Sequence, residues 1–482
     1  ERLLPTIRSH RERLCYENSL ILAPMVRIGT LPMRLLALDY GADIVYTEEL
    51  IDFKLLRSTR RENDVLGTID YVDRTDGTIV FRTCPRERSR VVLQLGTSDA
   101  SRALKVGRMV ENDVAGIDIN MGCPKKFSIN GGMGAALLRE PDKARDILKT
   151  LVDALTIPVT CKIRVFPDLQ KTLDLCDVLV SSGISAITVH GRTIDERPQH
   201  PNRNETISKI AKHLSIPVIA NGGSKDIEKF KDIGKFKEDT GCGSVMIARA
   251  AQWNCSIFRR EGLLPMEDII KAYLTYAIDY DNAPSNTKYC VQNIIRDLQE
   301  SPLGKKFLAS QTLEQICDCW DMGDYCRLKR DEYQKRGLQG RFQVTPTSRD
   351  NWNGLGSSKR KLEEDELTVM RCAYLKNNYS DGDELPKTRL LRWVRENRKK
   401  MPTYDTWKED KLFRSIVTVD GKKYSSTFWE KNKKWAEQGA ALVFLCALDV
   451  IDKKSLQKSG NLLSSDCQEY ALSNTETLES DR

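Results

Sequence analysis

The chain has 482 residues, 40% of them hydrophobic and 30% charged, which is too long for one average domain and allows two or three folded units, one with a sizeable core. Its longest apolar run, Ala440 to Leu448, is too short to cross a bilayer. The N-terminal stretch, with Arg2, Arg8, Arg11 and Arg13 among polar residues, lacks the continuous apolar core of a secretory signal. No membrane contact is expected, and the 14 cysteines are read as reduced thiols of a cytosolic or nuclear protein, with the cytoplasm as the expected location. Cys317, Cys319 and Cys326 have no nearby His to complete a zinc spacing, so no metal site is expected.

From Ser19 to Arg249, short β-branched runs alternate with helical stretches. The runs are Leu20 to Met25, Ile44 to Leu50, Val91 to Gly96, Gly116 to Met121, Pro158 to Val165, Ala186 to Gly191, Pro217 to Gly222 and Ser244 to Arg249. Several show little polar alternation, as strands buried on both faces should. Eight runs with intervening helices predict an α/β fold, a (β/α)₈ TIM barrel over residues 15–260. A doubly wound open sheet is the rival, but Gly131-Gly132-Met133-Gly134 neither follows a strand directly nor has the glycine spacing of a dinucleotide fingerprint.

Residues 261–336 read as a helical domain, with Ile269, Tyr273, Tyr276 and Tyr280 on one face and Thr312 with Gln315 as a capping box. Residues 337–366, rich in Ser, Arg, Gly and Asn, read as a flexible linker. The stretch 367–452 then carries most of the chain's charge of +8: between Leu385 and Val450 fifteen Lys and Arg face eight Asp and Glu. That segment is the expected contact for a polyanion. Thr388 to Arg398 is helical, Tyr404 to Asp410 and Phe413 to Val419 are strand-like, and Asp420-Gly421 is a hairpin turn. A third strand follows through Tyr424 to Trp429, a helix begins near Asn432, and residues 453–482 are expected to be a disordered tail.

In a barrel of this kind, the active site lies at the C-terminal ends of the strands. The residues that end the runs there are Ala23-Pro24-Met25, Gln94, Asn120 to Pro124, Lys162 and Arg164, His190-Gly191-Arg192, Asn221-Gly222-Gly223, and Ala248-Arg249. Glycine turns after strands seven and eight, with Arg249, suit a phosphate because exposed backbone N–H groups converge there; Gly222 and Gly223 are equally compatible with a plain tight turn. Lys162 lies within an apolar strand, and a buried ammonium needs a partner, for which an electron-rich flavin is a natural one. Cys123 alone reads more often as a small buried hydrophobe. Its position just past a strand end, between Gly122 and Pro124, favours a proton donor instead. A lone histidine such as His190 is often only a packing residue.

Ile119-Asn120-Met121-Gly122-Cys123-Pro124-Lys125-Lys126, followed by Gly131-Gly132-Met133-Gly134-Ala135-Ala136-Leu137-Leu138, resembles the signature of tRNA-dihydrouridine synthases. Leu22-Ala23-Pro24-Met25 is similar to that family's first flavin motif, while Val26-Arg27-Ile28-Gly29-Thr30 departs from the small-residue and Thr-Asp pattern that usually follows. The resemblance implies FMN as cofactor and NADPH as reductant. It places Ala23, Pro24, Met25 and Gln94 at the isoalloxazine ring and Lys162 at its reduced N1/C2 edge. His190, Asn221, Gly222, Gly223, Ala248 and Arg249 would hold the ring and phosphate. Hydride would pass from flavin N5 to uracil C6, Cys123 would protonate C5, and Asn120 and Arg192 would hold the base, after the uridine leaves its stack.

The αβββα order of the C-terminal segment, with Lys433-Lys434-Trp435-Ala436-Glu437 and Ala440-Ala441, resembles a double-stranded-RNA-binding domain. In that fold Lys433 and Lys434 would meet phosphates across the major groove; a merely solvated basic face is the alternative. Barrel and RNA-binding domain together resemble the eukaryotic members of the family that act on the D-loop uridine at tRNA position 20, so tRNA is the expected partner. Two rivals stand beside this reading. One is an FMN reductase of small molecules, of the dihydroorotate dehydrogenase or ene-reductase type; the other is a non-catalytic RNA-binding protein.

Overall fold

The computed structural model describes residues 14–338 and 367–462, the latter without 371, 373, 375–377, 380, 381, 410, 411, 431, 459 and 460. Arg2, Arg8, Arg11 and Arg13, residues 339–366 of the expected linker and 463–482 of the expected tail lie outside the described residues.

Eight parallel strands form the barrel: Leu20–Leu22, Ile44–Tyr46, Val91–Gly96, Gly116–Met121, Val159–Arg164, Ala186–His190, Val218–Asn221 and Ser244–Ile247. Each pairs with its sequence neighbour, and the circle shuts where Ile21 pairs with Met246. The expected (β/α)₈ fold is therefore present. The runs read as continuously apolar because helices cover their outer face while Tyr16, Ile21, Ile44, Tyr46, Val92, Ile219 and Met246 fill the lower interior. Side-chain caps start the surrounding helices: Asp99 accepts from Arg102 N at 2.8 Å ahead of Ala100–Val110, and Asp168 from Gln170 N at 2.9 Å ahead of Leu169–Val180.

Between the second and third barrel strands the chain makes a three-stranded antiparallel sheet, Ser58–Asn63, Thr68–Asp73 and Ile79–Thr83, which was not among the predicted elements. The first of these strands is almost wholly polar and gives no alternation signal. Its sheet is held by ion pairs instead: Arg82 grips Asp70 through two 2.6 Å bonds in a buried setting, and Arg60 reaches Asp113 at 2.7 Å.

Helices Met266–Asp279, Pro284–Ile295, Pro302–Ala309, Leu313–Asp318 and Gly323–Lys335 share one compact unit with the barrel. Ile269 and Tyr273 are fully buried, Tyr276 stacks on Tyr280, and Thr312 and Gln315 make the capping box. This region also fixes the loop after the first barrel strand. Arg27 there has a positive φ of 64°, and its carbonyl accepts from Asn286 Nδ2 at 2.6 Å, while Thr30 Oγ1 donates to Asn286 Oδ1 at 3.1 Å.

The second compact unit is the C-terminal one. Helix Pro386–Glu396, strands Thr403–Glu409, Leu412–Val419 and Lys422–Ser426, and helix Lys433–Ala447 give the αβββα order. Asp420 and Gly421 both have positive φ, 49° and 79°, as a two-residue hairpin between Val419 and Lys422 demands. The apolar run from Ala440 is the buried side of the last of these helices, from Ala440 to Cys446. Two elements extend the expected set. Strand Leu367–Met370 pairs in parallel with Lys422–Ser426, and helix Lys453–Lys458 adds buried Leu456 to the same core, so ordered structure runs past Asp452. No helix among the described residues is long and apolar enough to cross a membrane.

Candidate active site

At the barrel's C-terminal mouth, strand register lines up a layer of polar residues: Gln94 opposite Asp118, Asn120 opposite Lys162, Lys162 opposite Thr188, and His190 opposite Asn221. Asp118, fully buried, accepts from Gln94 Nε2 at 2.8 Å and Thr160 Oγ1 at 2.7 Å. Burial pushes its carboxyl up to about 6, against those two hydrogen bonds and the Lys162 ammonium. A carboxylate can only accept, so it turns the Gln94 amide N–H₂ toward itself and leaves Gln94 Oε1 to accept from Asn120 Nδ2 at 3.3 Å. Asn120 Oδ1 is thereby free to accept from the backbone of Gly122 at 2.9 Å and Cys123 at 3.1 Å. The sequence reading passed over Asp118, although the alternation in Gly116–Met121 puts it on the same strand face as Asn120.

Cys123 is partly exposed on the turn that this network fixes, and Ser128 Oγ donates to its Sγ at 3.3 Å. The glycine run packs directly beneath. Gly134 has a φ of 59°, and a Cβ there would stand 2.8 Å from the Cys123 carbonyl oxygen and 3.0 Å from Cys123 Cβ. Ala135 N donates to that carbonyl at 3.0 Å. These glycines therefore serve the cysteine turn rather than a dinucleotide.

A cavity of about 530 Å³ opens beside Pro124 and is lined by His190, Asn221, Gly222, Gly223, Ala248 and Arg249. Lys125, Lys126, Arg164, Arg192 and Arg197 add cations to its wall against the single carboxylate of Glu196. At Gly222, φ is 111° and a Cβ would meet Asn202 Oδ1 at 2.0 Å and His190 Cδ2 at 2.8 Å, so the floor requires glycine. Asn221 is held by its Nδ2 bond to the Met246 carbonyl at 2.8 Å. Arg192 is buried, with bonds to the Gly222 carbonyl at 2.7 Å, the His200 carbonyl at 2.9 Å and His190 Nε2 at 3.2 Å. A guanidinium has no acceptor, so His190 Nε2 accepts and the ring proton sits on Nδ1. Burial, then the Lys162, Arg164, Arg192 and Arg249 cations, hold His190 well below its usual range, and the imidazole is neutral. The structure thus gives Arg192 an orienting task beneath the His190–Gly222 turn.

Lys162 is half-buried, and among the described residues no hydrogen bond or ion pair reaches its ammonium. Burial and then Arg164 lower its pKa to about 8, with Asp118 opposing. Ala23 is buried, its N–H bonded to the Ile247 carbonyl at 2.9 Å, and leads to partly exposed Pro24 and Met25 on the rim. A cationic cavity floored by glycine, next to a lysine without a counterpart, fits a phosphorylated group with an electron-rich ring. Among the described residues no cluster of three His, Cys, Asp or Glu could hold a metal, and Cys317, Cys319 and Cys326 are buried in the helical region.

Lys433 and Lys434 belong to the C-terminal unit, where both are exposed in the first turn of a 15-residue helix capped by Asn432. Cations at a helix N-terminus oppose the macrodipole, so their placement makes sense where an anion bridges them and the free N–H groups.

Residues 21–275 match the family model for dihydrouridine synthases, and residues 386–448 match that for the double-stranded RNA binding motif. The chain is 40% identical over 293 residues to the tRNA-dihydrouridine(20) synthase of Schizosaccharomyces pombe, covering 59% of this chain and 60% of that one. With the tRNA-dihydrouridine(20) synthase of Saccharomyces cerevisiae it shares 34% identity over 375 residues, 72% of this chain and 97% of that one. Among solved structures, the double-stranded-RNA-binding domain of a tRNA-dihydrouridine(20) synthase is 40% identical, covering 17% of this chain and 88% of that one with a TM-score of 0.17.

Proposed function

Because the chain belongs to the dihydrouridine synthase family, we infer that it reduces a uridine of transfer RNA to 5,6-dihydrouridine, with FMN bound in the barrel mouth, NADPH as reductant, and the D-loop uridine at position 20 as target. The observation that carries this reading is the juxtaposition at the mouth. Cys123, fixed through Asn120, immediately precedes Pro124, which lines a cationic cavity floored by Gly222 that suits a phosphorylated, electron-rich cofactor.

When bound and reduced, the flavin supplies the hydride that uracil C6 receives. Gly222, Gly223, Ala248 and Arg249 hold the phosphate by backbone N–H groups and charge. Lys162 offers its ammonium to the negative edge of the ring, Gln94 borders the ring, and Ala23, Pro24 and Met25 close the rim. His190, neutral, donates from Nδ1. Cys123 gives its Sγ proton to C5 while Asn120 keeps the turn in place, and Arg192 supports the floor on which base and cofactor rest. The base reaches this layer only once it leaves its stack. Lys433 and Lys434 bind phosphates of the tRNA, which accounts for an RNA-binding domain in a reductase and favours tRNA over a small substrate. A cytoplasmic location suits that substrate.

The test is substrate choice. Purified protein, yellow with bound flavin, should oxidise NADPH faster with uridine-unmodified tRNA than with free uridine, orotate or a small enone. Turnover of the small molecules at the tRNA rate would favour a small-molecule reductase, and colourless protein that binds tRNA without turnover would favour an RNA-binding protein.

A further inference from the structure

Glu49 follows the second barrel strand and precedes the short strand Leu50–Ile51, which pairs with the end of the third strand through Leu50 with Leu95 and Ile51 with Gly96. That pairing brings the Glu49 carboxyl over Gly96, where a Cβ would stand 2.8 Å from Oε1. Glycine is what makes room for the acid. Its neighbour Glu48 is ordinary by comparison, with Oε2 accepting from Arg27 N at 2.7 Å. Glu49 Oε1, in contrast, is buried and has no hydrogen-bond partner. An acceptor in that position normally finds a donor.

The groups that act on this carboxyl are the Cys123 thiol and then the Lys125 ammonium; burial outweighs both and raises its pKa. Cys123 already receives the Ser128 hydroxyl proton at Sγ, so its own S–H remains available to the Glu49 side. Lys162 and Arg164 face the thiol from the fifth strand. Glu49 as a residue stays partly exposed, which gives its carboxyl a route to water.

We propose that Glu49 is a positioning and proton-returning residue behind Cys123. It holds the thiol before reaction and re-protonates the thiolate afterwards. When the Cys123 S–H bond breaks to protonate uracil C5, the electron pair stays on Sγ. The Glu49 carboxylate then takes up a proton from solvent, that O–H bond breaks as S–H forms again, and Glu49 is left as the carboxylate it was at rest. This rests on Cys123 being the proton donor, and the experiment separates the two claims.

The full-length, flavin-loaded protein is treated with iodoacetamide without tRNA across neutral to alkaline pH, and labelling of Cys123 is followed by peptide mass spectrometry. Glu49→Gln removes a negative neighbour of the thiolate, so labelling near neutral pH should speed up roughly three- to tenfold and the pH–rate curve should move to lower pH. Glu49→Asp, which draws the acid back by one methylene, should give a smaller shift and keeps the test open if Gln at this position does not fold. With tRNA, Glu49→Gln should complete a first turnover near the normal rate and then slow roughly tenfold or more, with KM for tRNA unchanged. An unaltered Cys123 labelling curve, or first and later turnovers at the same normal rate, overturns the proposal. If Cys123→Ala reduces tRNA normally, the donor assignment itself fails; if Cys123→Ala is inactive while Glu49→Gln labels as the parent does, only the role of Glu49 fails.

Discussion

Asn120 holds Cys123 through the backbone rather than through sulfur, its Oδ1 accepting from Cys123 N at 3.1 Å and, in the same grip, from Gly122 N at 2.9 Å. Asn120→Ala would leave two N–H groups and the Gln94 Oε1 without partners. Each buried group left unmet costs about 1–3 kcal/mol. The expected result is a lower melting temperature together with a fall in kcat that exceeds any rise in KM for tRNA. A variant that melts and turns over like the parent would show that Asn120 does not set the turn.

Lys162 offers a pH signature. Its pKa in the flavin-free protein is lowered from 10.5 to about 8, by burial first. Below about 8 the folded protein carries the charged ammonium, and above it the neutral amine. An anionic ring edge prefers the charged form, so flavin affinity should weaken as pH rises from 7 to 9, approaching tenfold per pH unit at the steepest. Lys162→Met should bind flavin less tightly at pH 7 and lose that slope. By the same linkage the unfolded chain binds the extra proton between about 8 and 10.5, so this group adds stability to the flavin-free protein as pH rises through that window. Equal slopes for parent and variant in a flavin titration would count against the assigned contact.

Gly222→Ala tests the cavity floor. The new Cβ would press on Asn202 Oδ1 and His190 Cδ2 at a φ that L side chains rarely adopt, a strain of about 1–3 kcal/mol. Flavin content after purification should fall by roughly tenfold while circular dichroism remains that of the parent. Full flavin occupancy would remove this turn from the cofactor site.

What could be read along the chain differs from what had to be folded first. The eight runs were legible because parallel strands covered on both faces leave uninterrupted β-branched stretches. Asp420-Gly421 and Thr312 with Gln315 were legible because their chemistry is local. Asp118 was not, because its meaning lies in partners from other strands, Gln94 and Thr160, which only register brings to it. Glu49 was hidden for the same reason, its carboxyl turned by the pairing of Ile51 with Gly96. The polar strand Ser58–Asn63 lacked any periodic apolar signal, being stabilised by ion pairs that no pattern of hydrophobic residues announces, and the added strand Leu367–Met370 is only four residues long, too short for its apolar residues to mark a strand.

The C-terminal unit supplies a prediction independent of the flavin. Lys433→Ala with Lys434→Ala should lower tRNA affinity and flatten its dependence on salt by about one unit of log–log slope per lysine. Flavin content and NADPH oxidation without tRNA should be those of the parent. A double variant with unchanged slope would place the phosphate contacts elsewhere on the unit.

The central claim is that Cys123 protonates a tRNA uridine at the mouth of this barrel. Its most direct measurement is position-resolved mapping of dihydrouridine in unmodified tRNA after incubation with NADPH and either the parent protein or Cys123→Ala, at matched flavin content. The account predicts dihydrouridine at position 20 with the parent and a rate lower by about 10²–10⁴ with the variant. Near-normal reduction by Cys123→Ala, or tRNA left unreduced by flavin-loaded parent, would contradict it.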